Sequence, residues 1–387
     1  MKEIGINMKV IAFYLPQFHE IAENNEWWGK GFTDWMNVKK AVKYDDKQFQ
    51  PRVPLGNNYY DLSDIEVMKW QVNLAKKYGI YGFCMYHYWF SGRKLLEKPV
   101  ENYLAHTEMD LPFCLCWANE TWKNQWGEGA NQKVLIEQEY GDEREWRAHF
   151  EYMLPFFHDE RYIKEKTKPL LVIYRPDLID RLDEMLEQWD IWAKESGLTG
   201  ICYAYQKAVN TMFNYKNGKA NKFDFQIEYQ PLACYEWRRN YFNMYLIKMK
   251  RRLFRGLGRL LHTKKLSDVL YVKKLEKRNY DRDWQCIIEH VPESDKCIPG
   301  AFVDWDNTPR KQKRGSFYEG ASPQKFEYYF EQLVVRTKNV YHKDMIFIFA
   351  WNEWAEGGYL EPDEKNKFGY LEAIYRTLKN HSELPRR

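Results

Sequence analysis

Short, almost continuous apolar runs recur along the chain and alternate with segments of helical periodicity. Runs that are apolar at nearly every position are typical of strands covered on both faces, as in a parallel sheet. Eight such units within 387 residues predict an α/β fold, a closed (β/α)8 barrel, rather than an open doubly wound sheet. The predicted strands are Met8–Tyr14, Ile80–Tyr88, Pro112–Ala118, Pro169–Tyr174, Gly200–Tyr205, Asp224–Tyr229, Pro299–Trp305 and Met345–Ala350.

Segments with apolar residues at helical spacing fill the intervals between these strands. The first full helix is predicted to begin with Asp61 or Ser63 as its N-cap, to run to Tyr78 and to end at Gly79. Since no glycine-rich dinucleotide or phosphate-binding fingerprint follows any strand, the open-sheet alternative is weakened. We therefore expect residues 1–387 to form a single catalytic barrel domain. Further helices are predicted at Glu143–Phe157, Asp180–Ser196, Pro323–Lys338 and Tyr370–Lys379.

One strongly basic segment, residues 241–278, interrupts the alternation between strands six and seven. Its apolar residues recur at helical spacing, so we expect an amphipathic basic helical insertion. One interpretation is contact with an anionic membrane surface or a lipid-linked glycan, and the other is a solvated helix that packs on the barrel. The basic residues are Lys248, Lys250, Arg251, Arg252, Arg255, Arg259, Lys264, Lys265, Lys273, Lys274, Lys277 and Arg278.

Charge and cysteine usage narrow the class of protein. A formal net charge of +4 over 387 residues gives no argument for a nucleic-acid partner. Seven scattered cysteines, several of them in apolar runs, are typical of reduced thiols in the cytoplasm. Since no secretory signal or transmembrane stretch is evident, we expect a cytoplasmic protein that can lie peripherally on the inner face of the membrane. Cys114 and Cys116 have no second thiol or histidine pair at metal spacing, and we expect neither a metal nor another cofactor.

The aromatic content is unusually high at 17%, with 16 tryptophans and 29 tyrosines. These rings offer a flat apolar face together with a polar edge, which suits sugars, because their C–H faces stack and their hydroxyls form hydrogen bonds. The alternative is a core that is simply rich in aromatic residues. The composition therefore favours an oligosaccharide or polysaccharide substrate.

Polar and aromatic residues lie at the carboxyl ends of the predicted strands or directly after them, where the catalytic groups of a parallel barrel lie. They form the candidate substrate-binding set. Each has a structural alternative: a core histidine, a turn asparagine, a carboxylate paired with an arginine, or an aspartate that caps a strand end. The set is Tyr86, His87, Trp89, Trp117, Asn119, Glu120, Glu228, Asp304, Asp306, Asn352 and Trp354.

Glu353 and Glu356 stand directly after predicted strand eight and beside tryptophans, and they are the candidate catalytic residues. Cleavage of a glycosidic bond requires a proton donor for the leaving oxygen and a second carboxylate for the developing positive charge. Apolar surroundings raise the pKa of a carboxyl group, which lets it act as an acid at neutral pH. Glutamates at this spacing are also common on solvated helices. The hypothesis that these two are catalytic therefore rests on their position directly after the strand.

The run Trp351–Gly357, followed by Leu360–Pro362, resembles the catalytic loop of glycoside hydrolase family 99, the group of endo-α-mannosidases and endo-mannanases. More of the chain is similar to the related WbsX-type proteins of bacterial surface-polysaccharide clusters, which are often labelled glycosyltransferases. The resemblance extends over almost the whole chain. The runs that carry it are 12–19, 27–35, 82–90, 117–120 and 304–310.

This resemblance implies an enzyme that acts on glycosidic bonds of a bacterial surface polysaccharide or its lipid-linked precursor. Glu353 would deprotonate the 2-hydroxyl of the substrate, giving an anhydro-sugar intermediate with net retention, and Glu356 would be the general acid and later the base. A double displacement with Glu353 as the nucleophile stays open. So do a glycosyltransferase of O-antigen or capsule synthesis, with a nucleotide-sugar or polyprenyl-phosphate donor, and a non-catalytic glycan-binding barrel.

Overall fold

The computed structural model describes residues 7–124, 133–208, 222–238 and 275–386. The core of this part of the chain is a sheet of parallel strands built from the apolar runs. We number the barrel strands β1 Lys9–Tyr14, β2 Gly82–Phe90, β3 Phe113–Trp117, β4 Lys168–Ile173, β5 Cys202–Lys207, β6 Phe225–Glu228, β7 in two pieces, Cys297–Ile298 and Gly300–Phe302, and β8 Met345–Phe349.

The strands pair in parallel and in chain order from β1 to β6, and β8 lies against β1. Strand β7 is divided at Pro299, so that its first piece pairs with β6 and its second piece pairs with β8. Gly300 allows this close approach, since a Cβ atom there would lie 1.9 Å from the carbonyl oxygen of Glu228. The two pieces close the ring, and the predicted (β/α)8 barrel is confirmed.

The barrel strands are apolar on both faces because one face fills the interior and the other lies under helices. Every residue of β2 and of β8 is buried. Rings fill the carboxyl end of the interior, where the Phe13 centroid lies 5.7 Å from that of Tyr86 and 5.3 Å from that of Tyr229. The interior is therefore a packed core, and space for a ligand lies beyond the strand ends.

Helices alternate with the strands as predicted. The helix after the first long loop is Ile65–Lys77, and its N-cap is Asp64, which accepts a hydrogen bond from a backbone N–H of the first turn. The predicted caps Asp61 and Ser63 are wrong, whereas Gly79 follows the helix with a left-handed φ of +82°. Further helices are Ala22–Trp28, Trp35–Lys39, Lys98–Ala105, Glu143–His158, Leu182–Glu195, Leu232–Trp237, Tyr280–Glu289, Thr308–Lys311, Pro323–Asn339 and Gly369–Asn380.

The long segment between β1 and the helix Ile65–Lys77 folds over the carboxyl end of the barrel. Trp35 anchors it, because its Nε1 donates to the carbonyl of Tyr60 at 2.7 Å. The ring of Trp35 also packs with its centroid 4.5 Å from Phe18 and 5.4 Å from Trp354. This packing holds the segment against the residues that follow β8.

Most of the predicted basic insertion, residues 241–274, lies outside the described residues. Its last residues are described, and there the helical prediction is wrong. Lys277 and Arg278 lie in the strand Glu276–Asn279, which pairs in parallel with Ser316–Glu319. The described end of the segment is thus a strand that pairs with its neighbour, and not the continuation of a helix.

Other short strands lie outside the barrel or extend its strands. In the described part of the chain, none of the helices has both the length and the apolar character needed to cross a membrane. The additional strands are Arg93–Leu95, Trp122–Lys123, Val134–Ile136, Lys164–Glu165, Ser316–Glu319, Asn352–Glu353 and Gly358–Tyr359.

Candidate active site

A cavity of about 290 Å³ opens at the carboxyl ends of the barrel strands. Its walls come from the loop after β1, from the ends of β2 and β8, and from segments after β3, β4, β6 and β7. Acidic and aromatic side chains line it together. The lining residues are Leu15, Gln17, Asn24, Trp27, Trp28, Phe32, Asp34, Tyr86, Tyr88, Leu96, Ala118, Glu120, Thr121, Trp122, Lys123, Leu135, Tyr174, Tyr229, Arg310, Phe349, Glu353 and Glu356.

The structure brings Glu353 and Glu356 together at this cavity. Glu353 belongs to the short strand Asn352–Glu353, is only 3% exposed, and accepts a hydrogen bond from the side-chain amide of Gln17 at 3.4 Å. Glu356 ends the 3-10 turn Trp354–Glu356, and 19% of its side chain is exposed. A buried carboxyl group and a more accessible one therefore face the same space.

Arg310 joins the two glutamates through its guanidinium group. Its Nη2 lies 3.1 Å from Oε1 of Glu353, and its Nη1 lies 3.2 Å from Oε1 of Glu356. The Nη2 nitrogen also donates a hydrogen bond to the buried carboxylate of Asp34. Three carboxyl groups share one cation, so the cluster carries surplus negative charge whenever all three are ionised.

The pKa of Glu353 lies well above its ordinary value, chiefly because burial disfavours the carboxylate. The positive charge of Arg310 opposes this rise, whereas the negative charges of Glu356 and Asp34 add to it. Glu353 therefore keeps its proton to a higher pH than an exposed glutamate does. Such a group can donate a proton near neutral pH, and once ionised it is a stronger base than an ordinary carboxylate.

The backbone after β8 is tied to the segment after β7. The backbone N–H of Asp306 donates to the carbonyl of Glu356 at 2.7 Å. Gly357 lies at the same point with a φ of +68°, and a Cβ atom there would lie 2.8 Å from the Asp306 nitrogen. The Asp306 carboxylate accepts the backbone N–H and the hydroxyl of Thr308 at 3.0 and 2.6 Å. We therefore revise Asp306 from a predicted substrate contact to a buried anchor.

Glu361, which the sequence interpretation did not place in the site, supports the same loop from behind. Its carboxylate accepts hydrogen bonds from Nε1 of Trp354 at 2.7 Å, from the hydroxyl of Tyr60 at 2.8 Å and from the amide of Gln71 at 2.7 Å. Burial raises the pKa of Glu361 to about 7, although these donors lower it. Trp354 is 1% exposed and stacks on Tyr359, so we revise its role from sugar stacking to support of the loop.

Tyr86 and Glu120 are the substrate-binding candidates that line the cavity. The Tyr86 hydroxyl lies 3.2 Å from that of Tyr229. Glu120 pairs with Arg175 at 2.5 Å, yet 40% of its side chain is exposed. Burial raises the pKa of Glu120 while Arg175 opposes the rise. The arginine pairing and the binding of sugar hydroxyls are thus compatible for this residue.

Asn119 and Asn352 are fully buried and bind backbone groups rather than lining the cavity. The Asn119 carboxamide accepts the N–H of Arg175 at 2.7 Å and donates to its carbonyl at 2.8 Å. Asn352 does the same with Leu15, at 2.8 and 3.0 Å. Each side chain satisfies one backbone donor and one acceptor, as a neighbouring strand would. We revise both from substrate contacts to residues that position loops.

His87, Trp89 and Trp117 belong to an aromatic cluster beside the cavity, not to its lining. Nε2 of His87 lies 2.7 Å from Nε2 of His149, and the Trp89 ring stacks on His149 at 4.8 Å between centroids. Burial lowers the pKa of His87 to about 3, so its imidazole is neutral. These three residues are therefore core residues, which was the structural alternative, and we revise the prediction that they contact the sugar.

Glu228 and Asp304 are also paired inside the protein and do not line the cavity. Glu228 is 1% exposed and accepts the hydroxyl of Tyr341 at 2.8 Å. Asp304 forms an ion pair of 2.8 Å with Arg52, which opposes the rise in the pKa of Asp304 that burial causes. Buried carboxylates need such partners, and we revise both residues to structural roles.

Sequence reasoning missed Asp34 and Arg310, which contact the glutamates directly. No periodicity relates either residue to the run after β8, because the three segments meet only in the folded barrel. The signal that could have found them is their position in runs 27–35 and 304–310, which carried the family resemblance.

The family model described as Glycosyltransferase WbsX matches residues 10–374, from β1 to the helix Gly369–Asn380. The chain belongs to this family. It is thereby placed in a family classed with carbohydrate-active enzymes, and all the residues of the Arg310 cluster lie within the matched range.

Curated relatives of this WbsX family member include the uncharacterized protein WxcX from two strains of Xanthomonas campestris pv. campestris, ATCC 33913 and B100. Each is 35% identical to the chain over 373 residues, which is 95% of this chain and 49% of the relative. The chain thus spans about half the length of the curated relatives it matches.

Solved structures with a similar fold include an endo-α-mannosidase of glycoside hydrolase family 99 from Bacteroides thetaiotaomicron. It is 11% identical, has a TM-score of 0.52 and is covered over 98% of both chains. A glycoside hydrolase-like protein is also 11% identical, with a TM-score of 0.55 and coverage of 98% of this chain and 96% of that chain. At these sequence identities the similarity establishes the fold alone. This fold agrees with the resemblance to glycoside hydrolase family 99 that the sequence shows.

Proposed function

We propose that this protein is a retaining glycoside hydrolase or transglycosidase that acts on a bacterial surface polysaccharide or its lipid-linked precursor. The observation that carries the proposal is the joint exposure of Glu353 and Glu356 to one ring-lined cavity at the carboxyl end of the barrel. Membership of the WbsX family supports a carbohydrate substrate. In this proposal Tyr86, near the end of β2, and Glu120, after β3, contact the sugar from neighbouring segments of the wall.

The raised pKa of Glu353 bears on the roles of the two glutamates. If Glu353 is the base or nucleophile, activity should rise as pH increases through its pKa, because only the carboxylate can attack or take up a proton. If it is the acid, activity should fall over the same range. We favour the base, with Glu356 as the acid, since the more exposed Glu356 can follow a leaving group towards solvent.

The charge of the cavity favours an uncharged glycan over a nucleotide-sugar donor. Arg310 is already shared by three carboxyl groups, so it does not offer a diphosphate an open site. A doubly charged leaving group would instead meet surplus negative charge. A transglycosidase that uses the same two glutamates to transfer sugar between glycans also fits the description of the family as a glycosyltransferase. Among the described lining residues, Asp34, Glu120, Glu353 and Glu356 are acidic and Lys123 and Arg310 are basic.

The test uses E353Q and E356Q with aryl α-mannosides that differ in leaving group, and with the polysaccharide as substrate. Each variant is expected to lose activity by about 10²–10⁴-fold. Only E356Q should recover with a dinitrophenyl leaving group, because such a group departs without protonation. The matched control is E372Q, which changes a half-exposed glutamate on the outer helix Gly369–Asn380.

Full activity of either E353Q or E356Q would refute the two-glutamate proposal. Turnover of a nucleotide sugar by wild-type protein, unaffected in both variants, would favour the alternative glycosyltransferase. A crystal soaked with a mannose-configured imino sugar should show the ligand between the two carboxyl groups.

A further inference from the structure

Arg310 contacts three carboxyl groups that come from two separate parts of the chain. Its Nη2 lies 3.1 Å from Glu353 and also pairs with Asp34, and its Nη1 lies 3.2 Å from Glu356. Arg310 itself is 7% exposed. In the described part of the chain, the titratable groups near this cluster include the hydroxyls of Tyr88, Tyr174 and Tyr229, whose pKa values are raised chiefly by burial.

A guanidinium group suits this position in a way that an ammonium group does not. Its donors point in fixed directions from a planar fork, so that it can hold two carboxyl groups at one separation. The lysine ammonium is a point charge on a flexible stem. Without any cation, the three acidic groups would repel one another and would move apart or take up protons.

Arg310 is itself held on two sides. It stands on the short helix Thr308–Lys311, whose first residue donates its N–H and hydroxyl to the carboxylate of Asp306. From the other side, Asp34 accepts a hydrogen bond from the guanidinium. Because the helix and Asp34 belong to different segments of the chain, the guanidinium is fixed by both of them. Its position can therefore determine the positions of the Glu353 and Glu356 carboxyl groups.

We propose that Arg310 is the positioning residue of the catalytic pair, with a guanidinium that sets the separation of the Glu353 and Glu356 carboxyl groups and favours the ionised form of Glu353. Asp34 is the counter-anchor, paired with the same Nη2 nitrogen that contacts Glu353. The catalytic meaning of this inference rests on the proposed function. The effect of Arg310 on the ionisation of Glu353 can nevertheless be measured without substrate.

The first experiment follows the protonation of Glu353 in the whole protein by infrared spectroscopy, as the difference between each protein and its E353Q counterpart across pH. In R310A the midpoint for Glu353 should be higher than in wild type by about 1 to 3 pH units, because a neighbouring cation that lowers it is gone. The control R376A removes a half-exposed arginine that pairs with Glu327 on the outer surface, and it should leave the midpoint unchanged. Equal midpoints in R310A and wild type would overturn the proposal.

The second experiment measures kcat and KM on the aryl glycoside that wild type turns over. R310K keeps the charge but loses the fork, so kcat should fall by about 100-fold with little change in KM. Millimolar guanidinium chloride should restore part of the kcat of R310A, whereas methylammonium chloride should not. Wild-type kcat in R310K would overturn the positioning role.

Folding is checked first by circular dichroism and thermal melting, because R310A leaves three acidic groups without their cation. If R310A does not fold, R310K, which retains the positive charge, carries the kcat measurement, and a wild-type kcat in R310K overturns the proposal. Failure of the proposed function is distinguishable. Wild type that cleaves no glycoside, combined with a raised midpoint in R310A, refutes the enzymatic role and leaves the effect of Arg310 on Glu353 established.

Discussion

At the scale of single residues, Glu353 occupies an environment that suits chemistry and costs stability. It is 3% exposed and shares Arg310 with two other carboxyl groups. Its pKa is raised because the folded protein favours the protonated form. The corresponding contribution to stability is present at low pH and is lost as pH rises through the pKa of the folded state.

The sign of this linkage leads to a prediction for E353Q. Glutamine keeps the shape of the protonated acid but cannot ionise, so the variant escapes the loss at alkaline pH. We expect its melting temperature to equal that of wild type near pH 5 and to exceed it by about 1 to 2 °C at pH 9, which corresponds to roughly 1 kcal/mol. Differential scanning calorimetry at both pH values, with E372Q as control, measures this effect. A variant destabilised equally at every pH would show that the carboxylate is net stabilising.

At the scale of elements, the loop after β8 is shaped by contacts from behind as much as by its own sequence. Glu361 binds Trp354 and Tyr60, and Asn352 bridges to Leu15. On the other side, the backbone nitrogen of Asp306 bonds to the carbonyl of Glu356. These contacts leave the two catalytic candidates little freedom, which is the preorganisation that a two-carboxylate mechanism requires.

Gly357 gives a test of this close packing, with an internal control. Gly357 and Gly56 both have a φ of +68°, but a Cβ atom at Gly357 would meet the nitrogen of Asp306 at 2.8 Å, whereas one at Gly56 meets nothing within 4 Å. G56A should therefore report backbone strain alone, at about 1 kcal/mol. G357A should cost more, by about 1 to 3 kcal/mol, and should also lower kcat. Urea unfolding measures both, and equal losses would contradict the close-approach argument.

At the scale of the whole molecule, charge is distributed unevenly. The cavity contains a surplus of acidic side chains, whereas residues 241–278 contain twelve lysines and arginines. In the proposed function the acidic cavity binds a glycan, whereas the basic segment has the charge that an anionic partner would require. A lipid-linked substrate would use both features, because its sugar would bind in the acidic cavity and its anionic phosphate would contact the basic segment.

This contrast predicts binding to anionic vesicles. Each basic residue near an anionic surface contributes about 1 kcal/mol, so reversing four of them should lower binding more than tenfold. We expect the whole protein to co-sediment with phosphatidylglycerol vesicles but not with phosphatidylcholine vesicles. The variant with Lys248, Lys250, Arg251 and Arg252 all changed to Glu should stay in the supernatant. Sedimentation of that variant with the anionic vesicles would remove the membrane interpretation and favour a helix that packs on the barrel.

The sequence by itself determined the barrel, because strands buried on both faces must be apolar throughout and that pattern survives without knowledge of contacts. It also located Glu353 and Glu356, since the end of β8 can be recognised in the sequence from the apolar run before it. Only the tertiary structure decided which strand-end residues face the cavity. His87, Asn352 and Asp306 lie near strand ends as Tyr86 does, yet they are satisfied by partners from distant segments. Arg310 and Asp34 enter the site for the same reason, because an ion pair between remote loops depends on spatial proximity that no local pattern encodes.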